Sequence, residues 1–241
     1  MTGKGDGVQK PRLFYKAVTV DETEGGWVVL LDGRAPKTPS GRKLILPTPA
    51  LAALVAADWD AQIEEVDSLR MPAQRLAATA ADRVASVRED VADEIARYAG
   101  SDLLCYRAES PAGLVEVQRQ AWDPLLGWAA EDLGLKLTAV GGIIHRAQPD
   151  ASLARARALA LELDDFGLTG LAHAASLLGS AVLALALQRG RIDGGTAHDL
   201  ARIDEAWQEE RWGIDYEAAD RTAGRLAETL LVDAWFRALR S

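Results

Sequence analysis

Residues 204–215 read DEAWQEERWGID, a helix-compatible run dense in acids and tryptophan. Glu205, Glu209 and Trp212 are spaced i, i+4, i+7, which sets all three on one helix face. Three chemistries use such a pattern: a carboxylate pair for acid–base work, an oxygen-rich metal site, or an acidic rim around an aromatic anchor. A metal site needs more ligands. No His stands at i+3 or i+4 from another His, and no H-E-x-x-H occurs. Magnesium or calcium requires further converging carboxylates. Carboxylates that cleave a glycosidic bond face each other across a cleft, and one turn of one helix is poor geometry for that. The third chemistry fits protein recognition, where tryptophan supplies apolar area and carboxylates meet Arg or Lys at the rim.

The same stretch breaks two local rules. Like charges stand one turn apart, and acids lie near a helix end marked by Gly213, where they oppose the helix dipole. Such violations point to function. Neutralisation by Arg202 and Arg211 is the competing account, and the two stand level. Leu200, Ile203 and Trp207 define the expected buried stripe. Trp212 lies five positions beyond Trp207, about 140° round the helix, and faces elsewhere.

Other chemistry is thinner. There is no G-x-G-x-x-G, no Walker loop and no G-x-S-x-G. Gly33, Arg34, Lys37, Arg42 and Lys43 lie in a loop able to hold an anion, but no helix N-terminus follows the glycines. Cys105 is the only cysteine, so no internal disulfide forms, and "LLCYR" reads as core. His145, His173 and His198 are scattered, with no signature tying one to Cys105. No cofactor is expected.

The elements that must position the acidic helix follow from periodicity. Residues 14–20 and 27–31 are rich in aromatic and β-branched residues, with Gly25-Gly26 between them. Residues 43–47, 103–108 and 135–140 are further expected strands, the second returning to the N-terminal sheet. Thr48-Pro49 is an N-cap followed by proline at the first helical position, opening a helix through Leu51, Val55, Trp59 and Ile63. A second helical stretch follows Pro72 and runs to Gly100. Beyond Pro111 helices dominate, over about 151–164, 168–188, 194–212 and 216–239, stopped at Gly167, Gly190 and Gly213. The expected class is α+β: a small antiparallel, strand-rich N-terminal domain over 12–108, after a disordered arm at 1–11, and a helical domain over 109–241.

Residues 171–188, LAHAASLLGSAVLALALQ, approach the length of a membrane span. His173, Ser176, Gly179 and Ser180 interrupt them, so a buried bundle helix is expected and no membrane insertion. The net charge of −9 argues against a nucleic-acid partner, which demands a basic stripe, and suits a basic polypeptide surface.

Five stretches in register resemble a known family. "FYKAVTV…GGWVVLLDGRAPKTPSGRKLILPTPALA", "MPAQRLAATAADRV", "SDLLCYRAESP", "QAWDPLLGWA" and "DEAWQEERWGID" are similar, in the same order, to blocks of the ATP synthase assembly chaperones that bind the alpha subunit of the soluble catalytic sector. The resemblance spans roughly residues 12–240. It implies a strand-rich domain followed by an orthogonal helix bundle, no enzyme activity, and a chaperone that holds free alpha subunit until beta subunit displaces it. It places a functional glutamate in the acidic block, by position Glu205. The partner surface implied is Asp204, Glu205, Gln208, Glu209 and Trp212, on a monomer. Mitochondrial members carry a targeting extension. Here only a short glycine-containing arm is present, so a bacterial, cytoplasmic member is expected. The rivals are a hydrolase using carboxylates of the C-terminal bundle, and a membrane-associated scaffold using residues 171–188.

Overall fold

The computed structural model describes residues 10–142, 144, 146–213 and 216–241. His145 and most of the N-terminal arm lie outside them. Contacts divide the chain into two units, Met1–Asp82 with Ser241, and Arg83–Arg240. The expected division between 108 and 109 falls inside the second unit.

In the first unit, β1 (Val18–Thr23) and β2 (Gly26–Leu31) form an antiparallel pair in register from Val18↔Leu31 to Thr23↔Gly26. β1 starts four residues later than the composition of 14–20 implies. The reason is Asp32: its carboxylate accepts from the amides of Lys16 and Ala17, which holds that segment out of the ladder. Residues 43–47 are not a third strand. They make two separate bridges, Lys37↔Lys43 and Trp27↔Leu46, and Pro47 has no N–H to continue the pairing. Gly26 permits the second bridge, since a Cβ there would lie 2.4 Å from the Leu46 carbonyl oxygen.

Helix α1 (Pro49–Asp60) opens as expected, with Thr48 accepting from the Leu51 amide and Pro49 at the first position. Leu51, Val55 and Trp59 are buried, but the helix ends before Ile63, which stands 79% exposed. The stretch expected as one helix after Pro72 is α2 (Pro72–Thr79), a π-turn at Ala80–Val84, and α3 (Ala85–Gly100), with non-helical backbone at Val87. Asp82 in that turn accepts from the Thr38 hydroxyl at 2.7 Å and the Ser40 amide at 2.9 Å.

The second unit is helical. Residues 103–108 do not rejoin the N-terminal sheet. Asp102 caps a single 3-10 turn at Leu103–Cys105, and only β3 (Tyr106–Arg107) is extended. It pairs in parallel with β4 (Val140–Gly141), all that remains of the strand expected at 135–140. There the Gln148 side chain takes both the N–H and the C=O of Thr138, so the main chain has no ladder to join. α4 (Ala112–Asp132) lies between β3 and β4 in sequence.

α5 (Asp150–Leu161) packs on α3. The apolar stretch 168–188 is two helices, α6 (Asp165–Leu178) and α7 (Ala181–Gln188). Gly179 takes φ +65° and Ser180 caps α7 through the Leu183 amide. Gly167, expected as a stop, lies inside α6, where its amide donates to the Asp164 cap. The stretch 194–212 also divides, at Arg202 (φ −123°, ψ 23°), into α8 (Gly194–Ala201) and α9 (Ile203–Trp212). α10 (Tyr216–Leu239) packs on α6 and α8. Residues of α6 and α7 fill the core: Leu168, Leu171, Ala174, Val182, Leu183 and Leu185 are buried. Among the described residues no helix is long and apolar enough to cross a membrane.

The chain is thus mostly helical, with a small antiparallel pair near the N-terminus. The orthogonal crossing of its helices stays an implication of the resemblance.

Candidate functional site

The break at Arg202 changes the electrostatics of the acidic block. α9 starts at Ile203, so Asp204 and Glu205 occupy its first turn. Negative charge there complements the helix dipole. Of the two rule violations seen in sequence, only Glu209 and Glu210 remain at the unfavourable end, and Glu209 is compensated. Nη2 of Arg202 donates to both its carboxylate oxygens at 2.6 Å, and the two side chains are 22% and 24% exposed. Glu205 and Glu209 are therefore not a repelling pair.

The five expected partner residues have distinct environments. Asp204 is half-buried, and its carboxylate accepts from Nε2 of Gln118 on α4 at 2.5 Å. Gln118 is buried, and its oxygen accepts from the Ala108 amide, so the pair fastens α9 to the core. Glu205 is exposed and makes no hydrogen bond or ion pair among the described residues. Gln208 is exposed. Trp212 is 77% exposed at the end of α9, beside Gly213 at φ +88°. Structure keeps Glu205, Gln208 and Trp212 on the solvent side and assigns Asp204 and Glu209 to internal bonds.

Trp207 is half-buried rather than core. The tip of its indole lies over Gly113 of α4, and the Arg211 guanidinium stacks 3.6 Å from its ring centroid. The expected stripe of Leu200, Ile203 and Trp207 is interrupted by the break. Leu200 contributes through its carbonyl, which accepts from the Trp122 indole.

Beside the acids a cleft of about 250 Å³ opens between the end of α6, α8–α9 and α10. Its lining includes Leu177, Leu178, Glu205, Glu209, Arg221 and Arg225. Arg225 donates to the Leu177 carbonyl at 2.7 Å. Both acids come from one helix, and one is already neutralised. This is not the opposed carboxylate pair that a hydrolase needs.

The remaining candidates are internally engaged. Arg42 donates to the Ala81 carbonyl and Lys43 to Thr23, so these two bases of the loop serve the first unit. Cys105 is buried, and burial followed by the nearby Asp102 charge pushes its thiol up to about 12, far from nucleophilic. Among the described residues no cluster of His, Cys, Asp or Glu could hold a metal ion. Gln118 was missed by sequence reasoning, while Arg202, weighed there as a neutralising base, pairs with Glu209 and not with Glu205. Arg202 precedes Glu209 by seven residues, but no Gly or Pro marks the break that aims it there.

The model of the ATP12 chaperone protein family matches residues 12–130. A solved structure of Paracoccus denitrificans Atp12 is 44% identical and superposes with a TM-score of 0.88, covering 95% of this chain and 98% of that one. The chain belongs to the ATP12 chaperone family. A structure of an aspartate-to-lysine mutant of P. denitrificans Atp12p is 43% identical, with a TM-score of 0.88, and covers 95% and 97% of the two chains. The mitochondrial protein atp12 of Schizosaccharomyces pombe is 26% identical over 214 residues, 84% of this chain and 74% of that protein. Membership places the chain among the chaperones of ATP synthase assembly. Membership of a chaperone family points to a chaperone role and not a catalytic one.

Proposed function

We propose that this chain holds the free alpha subunit of the ATP synthase catalytic sector and yields it when the beta subunit arrives. One observation carries the reading: Trp212 stands 77% exposed at the end of a helix that also presents an exposed Glu205 with no hydrogen bond or ion pair among the described residues. An exposed indole two turns along one helix from an exposed carboxylate fits the anchor-and-rim arrangement of a protein interface. Family membership supports a role in ATP synthase assembly, and the choice of alpha as client rests on the resemblance of the sequence blocks.

A free alpha subunit exposes an apolar face meant for beta, an aggregation site unless covered. The cover must bind more weakly than beta does, at about micromolar to nanomolar affinity. Carboxylates at the rim speed encounter and release without adding much buried area. The reading includes a monomeric chaperone acting where the catalytic sector is built, in a bacterium the cytoplasm. The acids of the described cleft, both from α9 with Glu209 already paired, lend the hydrolase rival no opposed pair, and the scaffold rival loses its single long helix to the break at Gly179.

The test is co-purification with isolated alpha subunit, comparing the wild-type chain with Glu205→Lys. Capture by the wild type and loss in the variant is expected. Equal recovery removes the role of Glu205, and no recovery by either removes the alpha-chaperone reading.

A further inference from the structure

The first unit carries an open sheet edge. Just beyond the β1–β2 ladder, Asp32 donates its amide to the Ala17 carbonyl at 3.0 Å, so positions 17 and 32 keep the hydrogen-bonding phase of its register although Ala17 gives its own amide to the Asp32 carboxylate. Hydrogen-bonded and non-hydrogen-bonded pairs alternate along an antiparallel pair. Thr19 and Asp21 therefore bond inward to β2, while Val18, Val20 and Glu22 turn their N–H and C=O groups away from it. The other strand agrees. Leu31 and Trp27, opposite Val18 and Glu22, spend their main-chain groups on Arg34 and Leu46. Among the described residues β1 has no strand on its outer side, and no described hydrogen bond reaches the outward groups of Val18, Val20 or Glu22.

A groove runs beside this edge. Val18, Thr19 and Val20 form one wall, and Ala53, Ala56, Ala57 and Asp60 of α1 form the other, enclosing about 280 Å³. The α1 residues are spaced i, i+3, i+4, i+7, one helix face, and its alanines leave room for side chains from elsewhere. Asp60, Asp21 and Glu22 are exposed and make the surroundings acidic.

We propose that the outer edge of β1 is a strand-addition site for an extended segment of the client, apolar at alternate positions and carrying Lys or Arg. The client is the alpha subunit, so the proposal rests on the function proposed above. The edge supplies main-chain hydrogen bonds to any extended backbone, the alanine groove takes every second side chain, and the acids select basic ones. An incoming strand bonds to Val18, Val20 and Glu22 and leaves Thr19 and Asp21 unchanged.

Val20→Pro is the sharp variant. The Val20 N–H has no partner among the described residues, so proline removes no described bond of the fold while blocking an added strand. Ala57→Trp, at an exposed position, fills the groove instead. Both are compared with wild type for capture of purified alpha subunit, with melting temperature as the control for folding. Single-amide hydrogen exchange is followed by NMR. Capture weakened about tenfold or more in both variants is expected. Alpha subunit should also slow exchange at Val18, Val20 and Glu22 of the wild type, but not at Thr19 and Asp21. Undiminished capture by Val20→Pro overturns the proposal and leaves the alpha-chaperone reading standing. So does a finding that Val20→Pro alters only the chain's own oligomeric state, which would make the edge a self-pairing surface. If wild type captures no alpha subunit, that reading falls, and the edge is tested with a synthetic peptide of alternating Val and Lys. Binding by wild type that Val20→Pro lacks sustains the edge site, and equal or absent binding overturns it.

Discussion

Trp207 sits where a side chain at Gly113 would be: a Cβ on Gly113 would lie 2.6 Å from the outermost ring carbon of the indole. No residue of α9 is buried, so this contact and the Asp204–Gln118 hydrogen bond are the main fastenings of the acidic helix to α4. Gly113→Ala should push the indole out. The substitution also gains about 1 kcal/mol of helix propensity in α4, so global stability should change little. Amides of α9 should exchange about tenfold faster, read against unchanged exchange in α6. Unaltered protection in α9 would mean that the indole is not a fastening.

Glu205 and Glu209 should separate by experiment. Glu209→Gln weakens a bidentate pair with a largely covered Arg202 and should lower stability by about 1 kcal/mol. Glu205→Gln breaks no internal bond and should leave the melting temperature within a degree or so of wild type, consistent with the small effect of surface substitutions. Capture of alpha subunit should show the reverse order, with Glu205→Gln the more damaging. Chemical unfolding and a pull-down on the same preparations decide it.

Asp102 gives a pH signature. It is fully buried, accepting from the Ser180 hydroxyl at 2.7 Å and the amides of Leu104 and Val182 at 3.0 Å. Burial, only partly offset by these bonds, pushes its carboxyl up to about 6. An unfolded aspartate titrates near about 3.9. The folded chain thus binds the proton more tightly, so the stability linked to Asp102 is complete below about pH 4 and lost as pH rises through about 6. The loss corresponds to about 3 kcal/mol at about 1.4 kcal/mol per unit. The stability of wild type minus that of Asp102→Asn should fall by that order between pH 4 and 7 in urea titrations. A flat difference would show that the hydrogen bonds hold the carboxyl at its ordinary value.

Gly170 is the packing test. A Cβ there would lie 2.8 Å from Trp235 Cδ1 and 2.9 Å from Phe236 Cε1, both on rings with at most 1% exposure. Those rings cannot move outward, and Trp235 is further tied to the Phe166 carbonyl at 3.1 Å. Gly170→Ala should destabilise by about 1–3 kcal/mol despite its better helix propensity. A melting temperature at or above wild type would mean that α6 and α10 can separate without loss.

Legibility in the sequence followed how local each signal was. The Thr48-Pro49 cap and the β1–β2 hairpin across Gly25-Gly26 were readable because their causes lie within a few residues. Residues 103–108 were misread because Asp102 and the Gly179–Ser180 turn, almost eighty positions apart, decide their course. The division at Arg202 carries no Gly or Pro, and missing it reversed the apparent dipole conflict of Asp204 and Glu205. Trp212 and Glu205 were placed on the exposed face by spacing alone. The Asp204 bond was invisible, since it depends on Gln118 from another helix; neutralisation by Arg202 was legible, but not that it falls on Glu209 alone, which the backbone angle of Arg202 decides.

The bend at Gly179 decides what kind of helix the apolar stretch can be. Run straight, residues 171–188 would form a rod about 27 Å long, close to the thickness of a lipid hydrocarbon layer. A glycine at φ +65° followed by a capping serine folds that rod back on itself, so α7 alone is eight residues long. The most apolar passage of the protein is thereby divided between two helices, neither long enough to cross a bilayer, without a single charge being placed in it.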